Sequence, residues 1–283
     1  MNYRYVFFGT PQIARLSLEA LEKLDMLPSL IVTAPARPQG RGMHLLETPV
    51  AAFAREHGIP CIMPEKITAE VIEVLKSADA WDFFFVVAYG KILPVSLLEI
   101  VQGKVLNLHP SLLPKYRGPS PLESVLLSDD TKTGVSIMEL DKEVDHGPIV
   151  AQYPFALAKD MSVETLTTES ALVGVALFAQ SIEQYLTDID MPIEQDHSLA
   201  TQTHKYTKAD GLLNDSMDSW QKWKIFRAFG DRGWVHFTTA RHNEIITVKI
   251  TKASYNDDAF AIEEVIPENG KRQSYDSFLQ SLR

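Results

Sequence analysis

Three short and almost wholly apolar runs most constrain this chain: Tyr3 to Phe8, Phe83 to Val87 and Val105 to Leu108. Each is too short for a buried helix and lacks the polar alternation of a half-exposed strand, so each reads as a strand covered on both faces. Leu30 to Thr33 gives a further short strand. Between the first two, Ile13, Leu16, Leu18, Ala20, Leu21 and Leu24 recur at helical spacing, and Pro49 to His57 reads as a helix opened by proline and closed by Gly58. Strands alternating with helices imply βαβ units, hence an α/β fold with an open parallel sheet covered by helices.

The strand Ile149 to Leu157 and a long helical pattern from Val163 to Tyr185 complete this first region, placed at residues 1–189. Residues 190–204 are polar, contain Pro192 and lack periodicity, and are read as a linker. From Lys205 the pattern changes to one helix (Trp220 to Phe229) and short strands such as Val235 to Thr239 and Ile245 to Thr251. Residues 205–283 are therefore expected to form a small β-rich module, a barrel. At 283 residues, 45% apolar and 23% charged, the chain has material for two ordinary globular domains.

Several classes fall away. No run of about eighteen uncharged apolar residues occurs, so no membrane span is expected. Met1-Asn2-Tyr3-Arg4 enters a strand directly, without the parts of a secretory leader. The single cysteine, Cys61, has no internal partner, which suits a reducing cytoplasm, and no Cys/His cluster has metal spacing, so no metal is expected. A net charge of −10 weighs mildly against a nucleic-acid partner, but phosphates need local rather than global positive charge. The first turn, Gly9-Thr10-Pro11, lacks the glycines that admit a dinucleotide pyrophosphate, which argues against an oxidoreductase.

Ligands of open parallel sheets bind beyond the carboxyl ends of the strands. Three such ends carry unusual chemistry: Gly9-Thr10-Pro11, Val87-Ala88-Tyr89-Gly90 and Asn107-Leu108-His109-Pro110. Asn107 and His109, two apart on one strand, project to the same side. A later strand, Gly134 to Leu140, runs into a loop with Asp141, Glu143, Asp145 and His146. An amide, an imidazole and a carboxylate in one cleft suit transfer of an acyl-like carbon to an amine. The amide stabilises an oxyanion, the imidazole moves or donates a proton, and the carboxylate orients the ring. No serine or cysteine nucleophile is required, because the amine attacks for itself. Taken singly, the same residues also suit a capped turn, a satisfied buried amide and a solvated acidic loop, and composition does not choose.

The stretch Asn107-Leu108-His109-Pro110-Ser111-Leu112-Leu113-Pro114, followed by Tyr116-Arg117-Gly118, resembles the signature of the folate-dependent formyltransferases. The resemblance implies a Rossmann-like catalytic domain with a small OB-like barrel after it, and 10-formyltetrahydrofolate as co-substrate. It also implies a catalytic set of Asn107, His109 and a later aspartate. The match across Met138 to Gly147 places that acid at Asp145, with Asp141 as the fallback. Ser111, Leu112, Leu113 and Pro114 resemble the folate-contacting stretch. Val87, Ala88, Tyr89 and Gly90, with Ile92 and Leu93, resemble the wall of the pterin pocket.

Arg37-Pro38-Gln39-Gly40-Arg41-Gly42 lies in a long loop after the second strand and is similar to an insertion that, in the members acting on methionyl-tRNA, enters the acceptor-stem groove. Glycines permit close backbone approach, and arginines meet phosphates or base edges. Arg37 and Arg41 are thus the expected tRNA contacts, and initiator methionyl-tRNA the expected partner of a monomeric enzyme of translation initiation. The resemblance extends through Tyr206-Thr207-Lys208, Ile225 to Phe229 and Asn269-Gly270-Lys271, nearly the whole chain. The form Asp145-His146-Gly147-Pro148 is shared with sugar formyltransferases, which leaves an amino sugar nucleotide as the rival substrate. A rival of another class is an idle RNA-binding protein on the same scaffold.

Overall fold

The first unit, comprising the chain up to Pro119 together with Thr133–Phe155 and Thr167–Gln202, is organised by a seven-stranded sheet. A computed structural model describes residues 3–39, 44–78, 80–187, 189, 191–241 and 244–282. In chain order this unit holds β1 (Tyr5–Gly9), α1 (Gln12–Glu22), β2 (Leu30–Val32), β3 (Arg37–Gln39), β4 (His44–Leu46), α2 (Pro49–His57) and β5 (Cys61–Ile62). These are followed by α3 (Ala69–Ser77), β6 (Phe83–Val87), α4 (Val95–Leu98) and β7 (Val105–His109). After an excursion into the second unit through α5 (Pro121–Leu127) come β8 (Lys132–Glu139), β9 (Ile149–Ala156) and α6 (Val163–Leu186).

The strand order is β5-β2-β1-β6-β7-β8-β9. β1 pairs in parallel with β2 and β6, β6 with β7, and β2 with β5, whereas β8 runs antiparallel to β7. The sheet is mostly parallel, as its apolar strands predict. All five residues of β1, β6 and β7 are buried, with Phe85 stacked on Phe178 of α6 at 4.1 Å between centroids. Because β2 and β6 flank β1 on opposite sides, the chain reverses direction across the sheet at the β1/β6 boundary, where the open ends of such sheets take ligands.

Local sequence explains the helix ends. Thr48 caps α2 by accepting a hydrogen bond from the Ala51 N–H at 3.0 Å, Pro49 fills a position whose N–H would be orphaned, and Gly58 closes the helix at φ 66°. The expected loop from Ala34 to Leu46 contains a small antiparallel hairpin, β3 with β4, in which Arg37 pairs with Leu46. Three-residue strands containing Pro38 have too little alternation to be read as strands. Gly40, Arg41, Gly42 and Met43 lie outside the described residues.

The second unit, Ser120–Lys132, Ala156–Leu166 and the chain from Thr203, packs α5 with α7 (Ser219–Phe229) and an antiparallel sheet. The sheet orders β10 (His236–Arg241), β11 (Glu244–Asn256), β12 (Ala259–Pro267) and β13 (Gln273–Ser274), with α8 (Tyr275–Gln280) after it. β10 and β11 run further than the expected Val235–Thr239 and Ile245–Thr251, because their polar later residues are held by pairing with neighbours rather than by apolar alternation. Asp218 and Gln221 form a reciprocal capping box at α7. Buried Arg227 donates to the carbonyls of Ala158 (3.0 Å) and Leu126 (3.1 Å), tying α7 to the segments beside it. Among the described residues no helix is long and apolar enough to cross a membrane.

Candidate active site

The pleat of β7 does the first positioning. Leu108 points to the α6 side, where a Cβ added at Gly174 would collide with its side chain. Asn107 and His109 therefore face the other way, 8% and 4% exposed. On β8 their cross-strand partners are Met138 and Ser136.

One ring nitrogen of His109 is hydrogen-bonded and the other faces a carboxylate. Nε2 lies 2.9 Å from the Tyr116 carbonyl, which only accepts, so this nitrogen carries a hydrogen. Nδ1 lies 3.6 Å from Asp145 Oδ2. Both nitrogens thus face acceptors. Asp145 is positioned in turn: Oδ2 accepts the Gly118 N–H at 2.6 Å, and its side chain is 13% exposed. Asp145 adopts φ 51° and Tyr116 φ 62°, left-handed conformations that persist only where the surroundings hold them. Asp141, the fallback acid, faces elsewhere. Its Oδ2 lies 2.7 Å from His146 Nδ1 and its Oδ1 accepts the Glu143 N–H at 2.7 Å.

The segment after His109 is braced from β8 and β9. Ser111 Oγ donates to the Lys115 carbonyl (2.7 Å), and Ser136 Oγ donates to the Ser111 carbonyl (2.6 Å). Ser136 Oγ also accepts the Leu113 N–H (3.2 Å), while Gln152 Nε2 donates to the Leu113 carbonyl (2.8 Å). Ser111 and Leu113 are buried, Leu112 and Pro114 half-buried, and the Leu113–Pro114 peptide is cis.

At the end of β6, Val87 is buried while Ala88 (φ 48°) and Gly90 (φ 75°) are exposed. Tyr89 packs edge-on against Phe8, and its carbonyl accepts from Thr10 Oγ1 at 3.3 Å, linking the ends of β1 and β6. Burial pushes the Tyr89 phenol up to about 12, and its oxygen has no hydrogen-bond partner among the described residues. Leu93 packs on the core around Tyr89 and Phe8, while Ile92 is 88% exposed. Arg37 is exposed on β3; Arg41 lies outside the described residues.

Two residues to which the sequence assigns no role stand out, Arg117 of the signature stretch and Gln195. Arg117 and Gln195 are both 5% exposed and bonded to each other, and Gln195 also reaches the carbonyls of Asp145 and Gly147. Gln195 lies in an aperiodic polar stretch, and nothing local to it announces partners 78 and 50 residues away. Among the described residues no group of three or more His, Cys, Asp or Glu is arranged to hold a metal.

Comparison with known proteins gives this geometry a family. The formyl transferase family model matches residues 3–182. A methionyl-tRNA formyltransferase of Sulfurovum sp. (strain NBC37-1) is 38% identical over 236 residues, covering 83% of this chain and 75% of that protein. One from Dictyoglomus turgidum is 32% identical over 277 residues, covering 95% and 86%. Among solved structures, the methionyl-tRNA formyltransferase of Clostridium thermocellum shares the fold with a TM-score of 0.62 at 14% identity, covering 94% of this chain and 99% of that one. An N-formyltransferase of Helicobacter canadensis in complex with folinic acid and dTDP-3-aminofucose aligns at 0.63 and 20%, covering 90% and 88%. With a family model spanning most of its length and relatives above 30% identity covered over three quarters or more, the chain belongs to the formyl transferase family.

Proposed function

We propose that this chain transfers the formyl group of 10-formyltetrahydrofolate to the α-amine of methionyl-tRNA, acting as a cytoplasmic monomer in translation initiation. The observation that carries the chemistry is the placement of Asn107 and His109 side by side at the carboxyl end of β7, with the Asp145 carboxylate on His109 Nδ1. The substrate follows from the relatives, which bear the name methionyl-tRNA formyltransferase over 83% and 95% of this chain.

The residues present fit a folate. Val87 to Leu93 offer a largely apolar wall with an exposed Ile92 and a buried Tyr89 hydroxyl that has no partner among the described residues, and Ser111 to Pro114 form a braced second wall. When bound, the folate supplies the formyl carbon as electrophile. Asn107 supplies an amide N–H to the negative charge that gathers on the formyl oxygen as the amine adds, and the His109 Nε2–H, held by the Tyr116 carbonyl until then, is shared with that oxygen as the charge develops. Asp145 and the Tyr116 carbonyl fix the ring plane of His109, so little reorganisation remains for the moment of reaction. The amine proton leaves towards the folate nitrogen that departs. Arg37, on β3, and Arg41, which lies outside the described residues, meet the acceptor stem.

The test is formyl transfer from 10-formyltetrahydrofolate to charged initiator tRNA, run beside an amino sugar nucleotide. Transfer to the tRNA alone supports the reading; transfer to the sugar alone moves the substrate to the rival class.

A further inference from the structure

Gln195 sits between a single-residue bridge at Ile193 and a 3-10 turn at His197–Leu199, and a second bridge further on pairs Gln202 with Arg117. A glutamine side chain has two donors and two acceptor lone pairs, and here all four are used. Oε1 accepts from Arg117 Nε (3.1 Å) and Nη2 (2.6 Å), while Nε2 donates to the carbonyls of Asp145 (3.0 Å) and Gly147 (2.7 Å).

The partners matter more than their number. On the Oε1 side lies the loop whose Tyr116 carbonyl takes His109 Nε2 and whose Gly118 N–H grips the Asp145 carboxylate. On the Nε2 side lies the backbone of Asp145 itself, in its left-handed conformation, and of Gly147, where an added Cβ would meet the Glu139 carbonyl. The same segment straps the first loop again. Thr201 accepts from the Tyr116 N–H through Oγ1 (2.8 Å) and from the Arg117 N–H through its carbonyl (2.9 Å), and Arg117 Nη2 donates to His197 Nδ1 (2.9 Å). One amide therefore bridges the two loops that between them fix the histidine.

We propose that Gln195 is a positioning residue for the reaction: its carboxamide holds the Arg117 and Asp145 loops in register, so that the Asp145 carboxylate stays on His109 Nδ1. The catalytic part of this assignment rests on the formyl-transfer reading above; the geometric part does not. Only an amide serves both sides. A glutamate keeps the pairing with Arg117 but loses both donors and turns a carboxylate oxygen on two carbonyls. An alanine releases both loops.

The experiment compares wild type, Gln195→Ala and Gln195→Glu as full-length chains. It reads kcat, KM for 10-formyltetrahydrofolate, thermal unfolding, and the 15N signals of the His109 ring, assigned by their loss in His109→Gln. Removing a group that orients a metal-ligating histidine costs on the order of 10- to 100-fold, and a histidine oriented by a carboxylate poses the same positioning demand. Both variants are expected to lose kcat in that range, with KM changed less than about threefold and the His109 signals displaced. Gln195→Glu, which fills the same volume, decides the matter if Gln195→Ala does not fold. The proposal is overturned if kcat of the folded variants stays within about twofold of wild type, or if activity falls only with the folded fraction while the His109 signals stay in place. A wild type that formylates neither substrate sinks the functional reading alone, since the ring signals still decide the clamp.

Discussion

One short loop contributes to two histidine–aspartate pairs, Asp141 with His146 inside it and Asp145 with His109 at the end of β7, and they are built on opposite terms. His146 and Asp141 approach to 2.7 Å, but their side chains are 29% and 36% exposed, and the His146 ring lies flat on His197 at 4.1 Å. His109 and Asp145 stand further apart, at 3.6 Å, yet are 5% and 13% exposed, with the far ring nitrogen and the carboxylate each committed to a backbone group. Separation alone would rank the exposed pair first. Solvent reverses the order, because water screens the exposed charges and competes for their hydrogen bonds, whereas the buried pair keeps its geometry for want of alternatives. A short contact within an exposed loop is a local convenience; a longer one between a strand end and a braced loop is a fixed direction in space.

Breaking the buried pair is expected to have the largest effect. His109→Ala and Asn107→Ala should each lower kcat by roughly 10²- to 10³-fold with little change in folate binding, the cost of losing one oxyanion donor. Steady-state kinetics decide this, and a His109→Ala enzyme keeping more than about a third of wild-type turnover would refute the role.

Asp145→Asn keeps an acceptor for the Gly118 N–H but removes the charge beside the ring, and should cost about 10²-fold in kcat, the lower end of what a positioned acid–base group contributes. Thermal unfolding separates this from loss of fold. Retention of full turnover would mean that the ring needs only its Tyr116 bond.

The β3–β4 hairpin extends the contrast between braced and exposed groups to substrate choice. Arg41→Ala should lower kcat/KM for charged tRNA by about 5- to 150-fold if its guanidinium reads a base edge. Arg37→Ala should cost less and flatten the salt dependence by about one unit of log–log slope, as for a phosphate contact. Measurement at several salt concentrations distinguishes them, and indifference to both favours the amino sugar nucleotide.

The smallest effect belongs to the exposed pair. Asp141→Asn should leave kcat within about threefold and stability within about 1 kcal/mol of wild type, as for a solvent-screened ion pair. If it harms turnover more than Asp145→Asn does, the two pairs have been assigned the wrong way round.

Much of this arrangement was legible in the sequence, for identifiable reasons. The strands β1, β6 and β7 declare themselves because burial on both faces leaves no polar residue to blur the run, apart from Asn107 and His109. Those two stand out for the same reason, and the period of two puts them on one side. Asp145 comes only with the family resemblance, since five ionisable side chains in the six residues from Asp141 to His146 look alike until a fold separates them. Gln195 was not legible. Its meaning lies wholly in long-range partners, and its polar neighbourhood reads as a connector. Nor does composition announce left-handed conformations at Ala88, Tyr116 and Asp145, none of which is glycine.

The contact of Leu108 with Gly174 has a consequence for how this enzyme tolerates mutation. Leu108 lies between Asn107 and His109 in sequence and opposite them in space, resting on a helix that takes no part in the chemistry. A single methyl at position 174 would press on Leu108 and, through one pleat of β7, shift both of its neighbours at once. The rear of the sheet thus constrains the site as the front does, and substitutions in the middle of α6 should impair turnover as those in the loops that face the substrate do.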